Sequence, residues 1–199
     1  MIPNILKSPE IIRAFSKIQR KDFVTPDMRD IAQFDRALPL AAGQTISQPT
    51  VVTFMLEMLA PREGQKILDI GSGSGWTTAL LASIVGNKGK VVALEVIPEL
   101  KEFGEKNAAK YNFIEKGIAK FFCQDGAEGY RPEAPFDGIL VSASLATKEL
   151  PVAWKTQLKA GGKIVVPIQN SIWVFTKKDE THLSEKEYPG FVFVPFIRK

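Results

Sequence analysis

The chain has one cysteine and one histidine in 199 residues. A single thiol, Cys123, excludes a disulfide framework and every zinc site built on several cysteines. A single imidazole, His182, excludes metal centres built on several histidines and argues against a triad that depends on one. No metal site is expected. No apolar run reaches the roughly 18 residues that a membrane helix requires. Residues 1–4 lack the basic region and following apolar stretch of a signal peptide, so a cytoplasmic setting is expected. Neither sign of charge dominates: 26 Lys and Arg face 22 Asp and Glu, a net +4. That balance helps to draw an anionic substrate but falls short of a nucleic-acid footprint. No nucleic-acid or membrane partner is expected, and the chain is expected to act as a monomer.

What remains is ordinary globular material, 45% hydrophobic and 24% charged. A chain of this length buries roughly 70% of its unfolded surface and needs no staples. With no repeat, low-complexity tract or Ser/Gly linker, one domain is expected over 1–199. Its first part, 1–62, reads as a helical region. Ser8-Pro9 gives an N-cap and first-turn proline, and Ile11, Ile12, Phe15 and Ile18 mark one face. Residues 19–48 are irregular, and a second helix runs from about Pro49 to a stop at Pro61.

From residue 63 the pattern becomes alternating strand and helix. Short apolar runs at 66–70, 91–95, 121–123, 138–141 and 163–167 alternate with helices near 76–85, 98–112 and 148–158, the last ending at a Gly161-Gly162 C-cap. This order predicts an α/β fold: a doubly wound, Rossmann-like, mostly parallel sheet with helices on both faces and an N-terminal helical extension. Residues 173–176 and 191–196 are expected to add two antiparallel strands, with the charged stretch 177–188 as a solvated loop between them.

The sharpest motif is Ile67-Leu68-Asp69-Ile70-Gly71-Ser72-Gly73-Ser74-Gly75-Trp76. Strand, glycine turn and helix start make a corner where backbone can approach a ligand. A dinucleotide fingerprint needs a third glycine at its sixth position. That position is Trp76 counted from Gly71 and Thr78 counted from Gly73, so the nicotinamide reading fails on spacing.

An acidic residue ahead of G-x-G-x-G instead resembles motif I of class I S-adenosylmethionine-dependent methyltransferases. S-adenosyl-L-methionine is therefore the expected cofactor. Its sulfonium, ammonium, ribose diol and adenine suit carboxylates rather than a pyrophosphate cradle. The resemblance places Asp69 near the methionine part, with Gly71, Ser72, Gly73, Ser74 and Gly75 forming the turn. Glu95, followed by Val96, is placed to accept the ribose hydroxyls. Asp125, followed by Gly126, is placed to accept from the adenine amino group. The bland alternative is that these carboxylates are ordinary helix caps.

The acceptor is narrowed first by elimination. Residues 141–145, Val-Ser-Ala-Ser-Leu, lack the Asn/Asp-Pro-Pro-aromatic tetrad associated with nitrogen methylation. Cytosine-type chemistry needs a thiolate, and Cys123 reads as a core residue in an apolar strand. Further blocks are Asp35-Arg36-Ala37-Leu38-Pro39-Leu40 with Gly43-Gln44-Thr45-Ile46-Ser47-Gln48-Pro49, then Asp125-Gly126-Ala127-Glu128-Gly129-Tyr130 with Ala134-Pro135-Phe136-Asp137. Gln157-Leu158-Lys159-Ala160-Gly161-Gly162-Lys163 and Phe193-Val194-Pro195 complete the set. With these blocks, residues 10–196 closely resemble the protein-L-isoaspartate O-methyltransferase family.

The resemblance implies methylation of the free carboxylate of L-isoaspartyl residues in damaged peptides and proteins, a repair reaction in which the ester then closes to a succinimide. It implies Ser47, Thr45 and Ile46 at the acceptor, with the Ser47 hydroxyl donating to the substrate carboxylate. Position alone leaves Ser47 equally able to cap the helix from Pro49. A carboxylate is already ionised at pH 7, so no general base is required and the shortage of histidine is accounted for. A different acceptor, RNA or a small molecule, and a non-catalytic cofactor-binding module are the alternatives. The chain departs from the family pattern at Ala41-Ala42, where a glycine and a variable residue are usual, and at Gln124, usually glycine. It also ends four residues after Pro195, so contacts that a longer tail makes in some relatives are not expected.

Overall fold

The computed structural model describes residues 6–198, so the reading of residues 1–4 lies outside the described residues. Five α-helices and nine strands, with short 3-10 turns between them, follow in chain order among the described residues. Helix α1 is Pro9–Lys17, strands β1 and β2 are Leu38–Pro39 and Thr45–Ile46, and helix α2 is Pro49–Leu59. Then come β3 (Lys66–Ile70), α3 (Trp76–Val85), β4 (Lys90–Glu95), α4 (Pro98–Ala109), β5 (Ala119–Cys123) and β6 (Phe136–Val141). The chain continues with α5 (Val152–Gln157), β7 (Leu158–Ile168), β8 (Ser171–Lys177) and β9 (Leu183–Pro189). No helix among the described residues is long and apolar enough to cross a membrane.

Seven strands form one sheet in the order β5-β4-β3-β6-β7-β8-β9, parallel from β5 to β7 and antiparallel for the last two. Strand β3 has β4 on one side and β6 on the other, in register at Asp69↔Ala93 and Asp69↔Leu140. The chain therefore changes direction across the sheet at β3, and a crevice opens at the carboxyl ends of β3 and β6. One face is covered by α1 to α4 and carries the larger core, from Ile11 and Leu56 to Val91 and Leu140. The opposite face packs Leu68, Val92, Ile139 and Val166 against Trp154 of α5. Helix α3 is buried almost all round because α1 covers the side that the sheet does not. Prolines at 9, 49 and 98 start three helices where a missing N–H costs nothing.

Four expectations are corrected. The final strand is β9, inside the charged stretch, and residues 191–194 are not a strand. As the outer edge of the sheet, β9 keeps Glu185, Lys186 and Glu187 in water, where charge protects an open edge. Phe191 and Phe196 instead pack inward, on Phe54 and against Trp154, while Val192 between them is exposed. The helix near 148–158 shortens to Val152–Gln157, because Pro151 starts it and disfavours helix at Leu150. Gly161 and Gly162 lie within β7, beside the register shift between Phe136 and Gly138, and do not cap a helix. Cys123 is exposed: it is the last residue of β5, the other sheet edge, and is uncovered although it shares the parity of buried Ala119 and Phe121. Ser8 holds the N-cap position of α1, but its hydroxyl donates to Glu57 Oε2 at 2.7 Å and so ties α1 to α2.

Candidate active site

The glycine turn after β3 is strapped down from three sides. The amides of Gly71 and Ser72 both donate to the Leu94 carbonyl at the end of β4, at 2.8 and 3.1 Å. The Gly73 amide donates to Glu95 Oε2 at 2.9 Å. From α4, Asn107 Nδ2 donates to the Ser74 carbonyl at 3.0 Å. Gly71, Gly73 and Gly75 all have positive φ, and a Cβ on Gly75 would sit 2.5 Å from the Gly104 carbonyl oxygen of α4. The motif is thus a turn pressed onto helix α4, a contact that only glycine on both sides permits.

Glu95 is nearly buried, and its other oxygen accepts from the amides of Val96 and Ile97 at 2.9 and 3.0 Å. Asp69 is fully buried beneath the turn and accepts from the Thr78 hydroxyl at 2.6 Å. Burial, reinforced by the nearby Glu95 charge and only partly offset by Thr78, pushes the Asp69 carboxyl up to about 7. Asp69 Oδ1 and the Ser72 hydroxyl are buried with no hydrogen-bond partner among the described residues. Native interiors seldom leave such groups unpaired, so an unmet demand for polar partners exists at this corner.

On the facing wall, β2 ends at Ile46 and helix α2 begins at Pro49, with Ser47 and Gln48 between. Gln48 is the N-cap residue of α2, with no side-chain cap bond; the Thr50 amide is taken instead by Asp35 Oδ1 at 2.8 Å. Ser47 is therefore not the cap. It is half-buried, and no hydrogen bond to its hydroxyl exists among the described residues.

These two walls enclose a cleft of about 730 Å³, mouth included, at the switch point of the sheet. Thr45, Ile46 and Ser47 line it together with Gly71, Ser72, Gly73, Ser74, Glu95, Val96 and Gly126. Three expected residues do not line it. Asp69 lies below the turn and is the penultimate residue of β3 rather than its last. Gly75 sits behind the turn as the N-cap of α3. Asp125 lies two residues past β5, accepts from the Ala127 amide at 2.8 Å, and faces Arg198 at 3.5 Å. Its side chain is turned to its own loop and the C-terminal segment.

Sequence reasoning missed several residues of the site. Residues 194–197 form part of the wall, held by Ser144 N donating to the Val194 carbonyl and Phe196 N to the Ser144 carbonyl, at 2.8 and 2.9 Å. Ser142, Ala143 and Gln124 also line the cleft. Trp154 reaches under it, its indole N–H donating to the Gly126 carbonyl at 2.8 Å. The apolar run at 191–196 was the one available signal, and strand-like composition masked it.

A family model described as Protein-L-isoaspartate(D-aspartate) O-methyltransferase matches residues 3–199. The chain is 38% identical over 196 residues to a protein-L-isoaspartate O-methyltransferase of Methanopyrus kandleri, covering 96% of this chain and 85% of that one. It is 37% identical to the Pyrococcus horikoshii protein of the same name, covering 97% and 87%. Among solved structures, a Plasmodium falciparum chain in complex with S-adenosyl-L-homocysteine shares the fold, with a TM-score of 0.86 at 22% identity over 98% of this chain and 93% of that one. Another solved protein-L-isoaspartate O-methyltransferase gives a TM-score of 0.85 at 27% identity, over 98% of this chain and 65% of that one.

Proposed function

The chain belongs to the protein-L-isoaspartate(D-aspartate) O-methyltransferase family, and we propose that it methylates the free carboxylate of L-isoaspartyl residues in damaged peptides and proteins, using S-adenosyl-L-methionine. The observation that carries this reading is the meeting of Ser47 and the glycine turn across one cleft. The residues present fit the cofactor. The unpartnered buried Ser72 hydroxyl in the cleft wall, the buried Asp69 beneath it and the side-chain-free glycines 71 and 73 suit a ligand bearing an ammonium, a carboxylate and a ribose. Gly71, Ser72, Gly73 and Ser74 would hold the methionine end, with Asp69 beneath. Glu95 would take the ribose, and Gly126 with Asp125 the adenine side. When bound, the cofactor supplies a methyl group activated by a sulfonium.

The chain's own residues then bind, orient and exclude water. The acceptor carboxylate is ionised at neutral pH, so no side chain needs to remove a proton. The free Ser47 hydroxyl donates to one carboxylate oxygen and leaves the other directed at the cofactor side. Thr45 and the Ile46 backbone flank it. Residues 194–197 close the wall and keep water from the reacting oxygen. Residues 1–62 serve as the acceptor region and 63–199 as the cofactor core, working as a monomer in the cytoplasm, without nucleic acid or membrane.

The test is incubation with methyl-labelled cofactor and an isoaspartyl peptide beside its normal aspartyl twin. Base-labile label is expected on the isoaspartyl peptide alone, and equal or absent labelling refutes the reading. Ser47→Ala is expected to lose about tenfold to a hundredfold in kcat, the worth of one charge-assisted hydrogen bond, with unchanged cofactor affinity by calorimetry.

A further inference from the structure

Arg20 precedes the acceptor segment by more than twenty residues and carries no motif. It lies in a short 3-10 turn and is 7% exposed. Its Nη1 donates to the carbonyls of Ala32 and Phe34 at 2.8 and 3.4 Å. Its Nη2 donates to the carbonyls of Arg36, Ile46 and Ser47 at 2.9, 3.3 and 3.1 Å. The guanidinium carbon lies 5.3 Å from the centroid of the Trp76 ring. Trp76 is the first residue of α3, directly after Gly75, and Phe15 of α1 meets its ring edge to face with centroids 5.6 Å apart. No carboxylate reaches Arg20 within ion-pair distance among the described residues.

One side chain therefore grips three pieces of chain: the loop at 32–36, the end of the acceptor strand, and the helix that carries the cofactor turn. A buried cation with no ion pair is costly, and here its compensation is five backbone carbonyls and an aromatic face. The Asp35 charge acts from beyond ion-pair distance, and Nε is left without a partner among the described residues. Two of those carbonyls belong to Ile46 and Ser47, the residues proposed to hold the acceptor. We propose that Arg20 is a positioning residue for methyl transfer, fixing Ser47 relative to the cofactor turn. The inference rests on the isoaspartyl reading above. The planar fork is what the job requires, since one head group must reach the 32–36 loop and the 46–47 strand while its central carbon sits over an indole. A lysine ammonium keeps the charge but offers one point with no plane. Misplacement of an acceptor by about 1 Å costs about a hundredfold in rate.

The experiment compares wild type, Arg20→Lys and Arg20→Ala by thermal unfolding, calorimetric binding of S-adenosyl-L-methionine, and kcat and KM on the isoaspartyl peptide. Arg20→Lys is expected to bind cofactor within threefold of wild type while losing about a hundredfold in kcat. Adding ethylguanidinium to Arg20→Ala is expected to restore at least tenfold of its lost turnover, which a merely stabilising role does not predict. Wild-type kcat in Arg20→Lys overturns the proposal. So does loss of cofactor affinity in parallel with turnover, or failure of both variants to fold, since each assigns Arg20 to stability alone. Absence of isoaspartyl turnover in wild type refutes the functional reading itself and takes the inference with it.

Discussion

Substituting Gly104 by alanine sets two well-defined effects against each other. Gly104 lies inside α4 with ordinary helical backbone, so intrinsic propensity favours alanine there by about 1 kcal/mol. Its Cβ, however, would stand 2.8 Å from the Gly73 carbonyl oxygen, 3.1 Å from the Gly75 amide nitrogen and 3.1 Å from Phe121 Cε1. Ordinary contact begins at 3.4 Å, so the turn or the helix must give by about 0.6 Å, and the nearest atom is backbone. Overpacking of this kind costs about 1–3 kcal/mol. The steric term wins or nearly cancels, leaving the free protein between unchanged and about 2 kcal/mol less stable. Function should suffer more than stability. The atom that must move is the carbonyl of Gly73, whose own amide is bonded to Glu95. Displacing this turn separates Glu95 from the residues proposed to hold the methionine end, and a loss of about 1.4 kcal/mol in binding is tenfold in affinity. Urea unfolding and calorimetry with S-adenosyl-L-methionine on Gly104→Ala measure the two quantities separately. A variant that is more stable than wild type and binds cofactor equally well refutes the reasoning, because helix propensity would then have decided alone.

Asp69, pushed up to about 7 by burial against an ordinary 3.8, makes stability pH-dependent. A raised folded value means the favourable contribution is complete below 3.8 and is lost as pH rises to about 7. Relative to Asp69→Asn, the cofactor-free protein should therefore weaken steadily between pH 4 and 7 and then level off; a pH-independent difference in urea midpoint refutes this. Asp35 behaves with the opposite sign. Burial alone would raise it, but the Thr50 hydroxyl and amide and the Gln48 side chain hold it below its ordinary value. Its contribution is present above pH 3.8 and lost as pH falls through the lowered value, and Asp35→Ala should cost about 1 kcal/mol as a lost cap on α2. Equal acid sensitivity of the two proteins sinks that assignment. Cys123→Ser should leave isoaspartyl turnover within twofold of wild type, because the thiol is exposed at a sheet edge and takes no role at the acceptor; a large loss of kcat contradicts the chemistry given above.

Where the sequence was legible, the controlling interactions were local. Strands β3 and β4, their glycine turn and α3 follow from apolar runs, three closely spaced glycines and a helix start, and each forms where its own neighbours dictate. Long-range features were hidden. Nothing near Arg20 in the chain announces that five carbonyls and an indole converge on it, because its partners come from residues 32 to 76. Gly104 carries no signal of its own in the sequence, and only the packing of α4 on the turn shows why a larger residue does not fit. Strand β9 was mistaken for a loop because charge marks both solvated loops and exposed sheet edges. Cys123 failed for the complementary reason: an apolar run suggests a core strand, but Cys123 is the last residue of an edge strand, where the cover over Ala119 and Phe121 has ended.

The two walls of the cleft differ in charge in a way that fits the transfer. The cofactor wall sets Asp69 and Glu95 beneath and beside the turn, where a cationic ligand lowers the cost of keeping carboxylates out of water. The acceptor wall offers Thr45, Ile46 and Ser47, which carry no charge, so an incoming carboxylate meets donors without a fixed counter-ion. A lysine or arginine head group at Ser47 would bind that carboxylate more tightly, yet it would stabilise the anion most before the methyl arrives, when the negative charge is still whole. That interaction is stronger in the ground state than in the transition state, and it would slow the chemical step. Arg20 meets the same constraint by turning its guanidinium to the backbone carbonyls of Ile46 and Ser47, placing a positive charge behind the acceptor strand where it orders the donors and leaves the reacting oxygen unclamped.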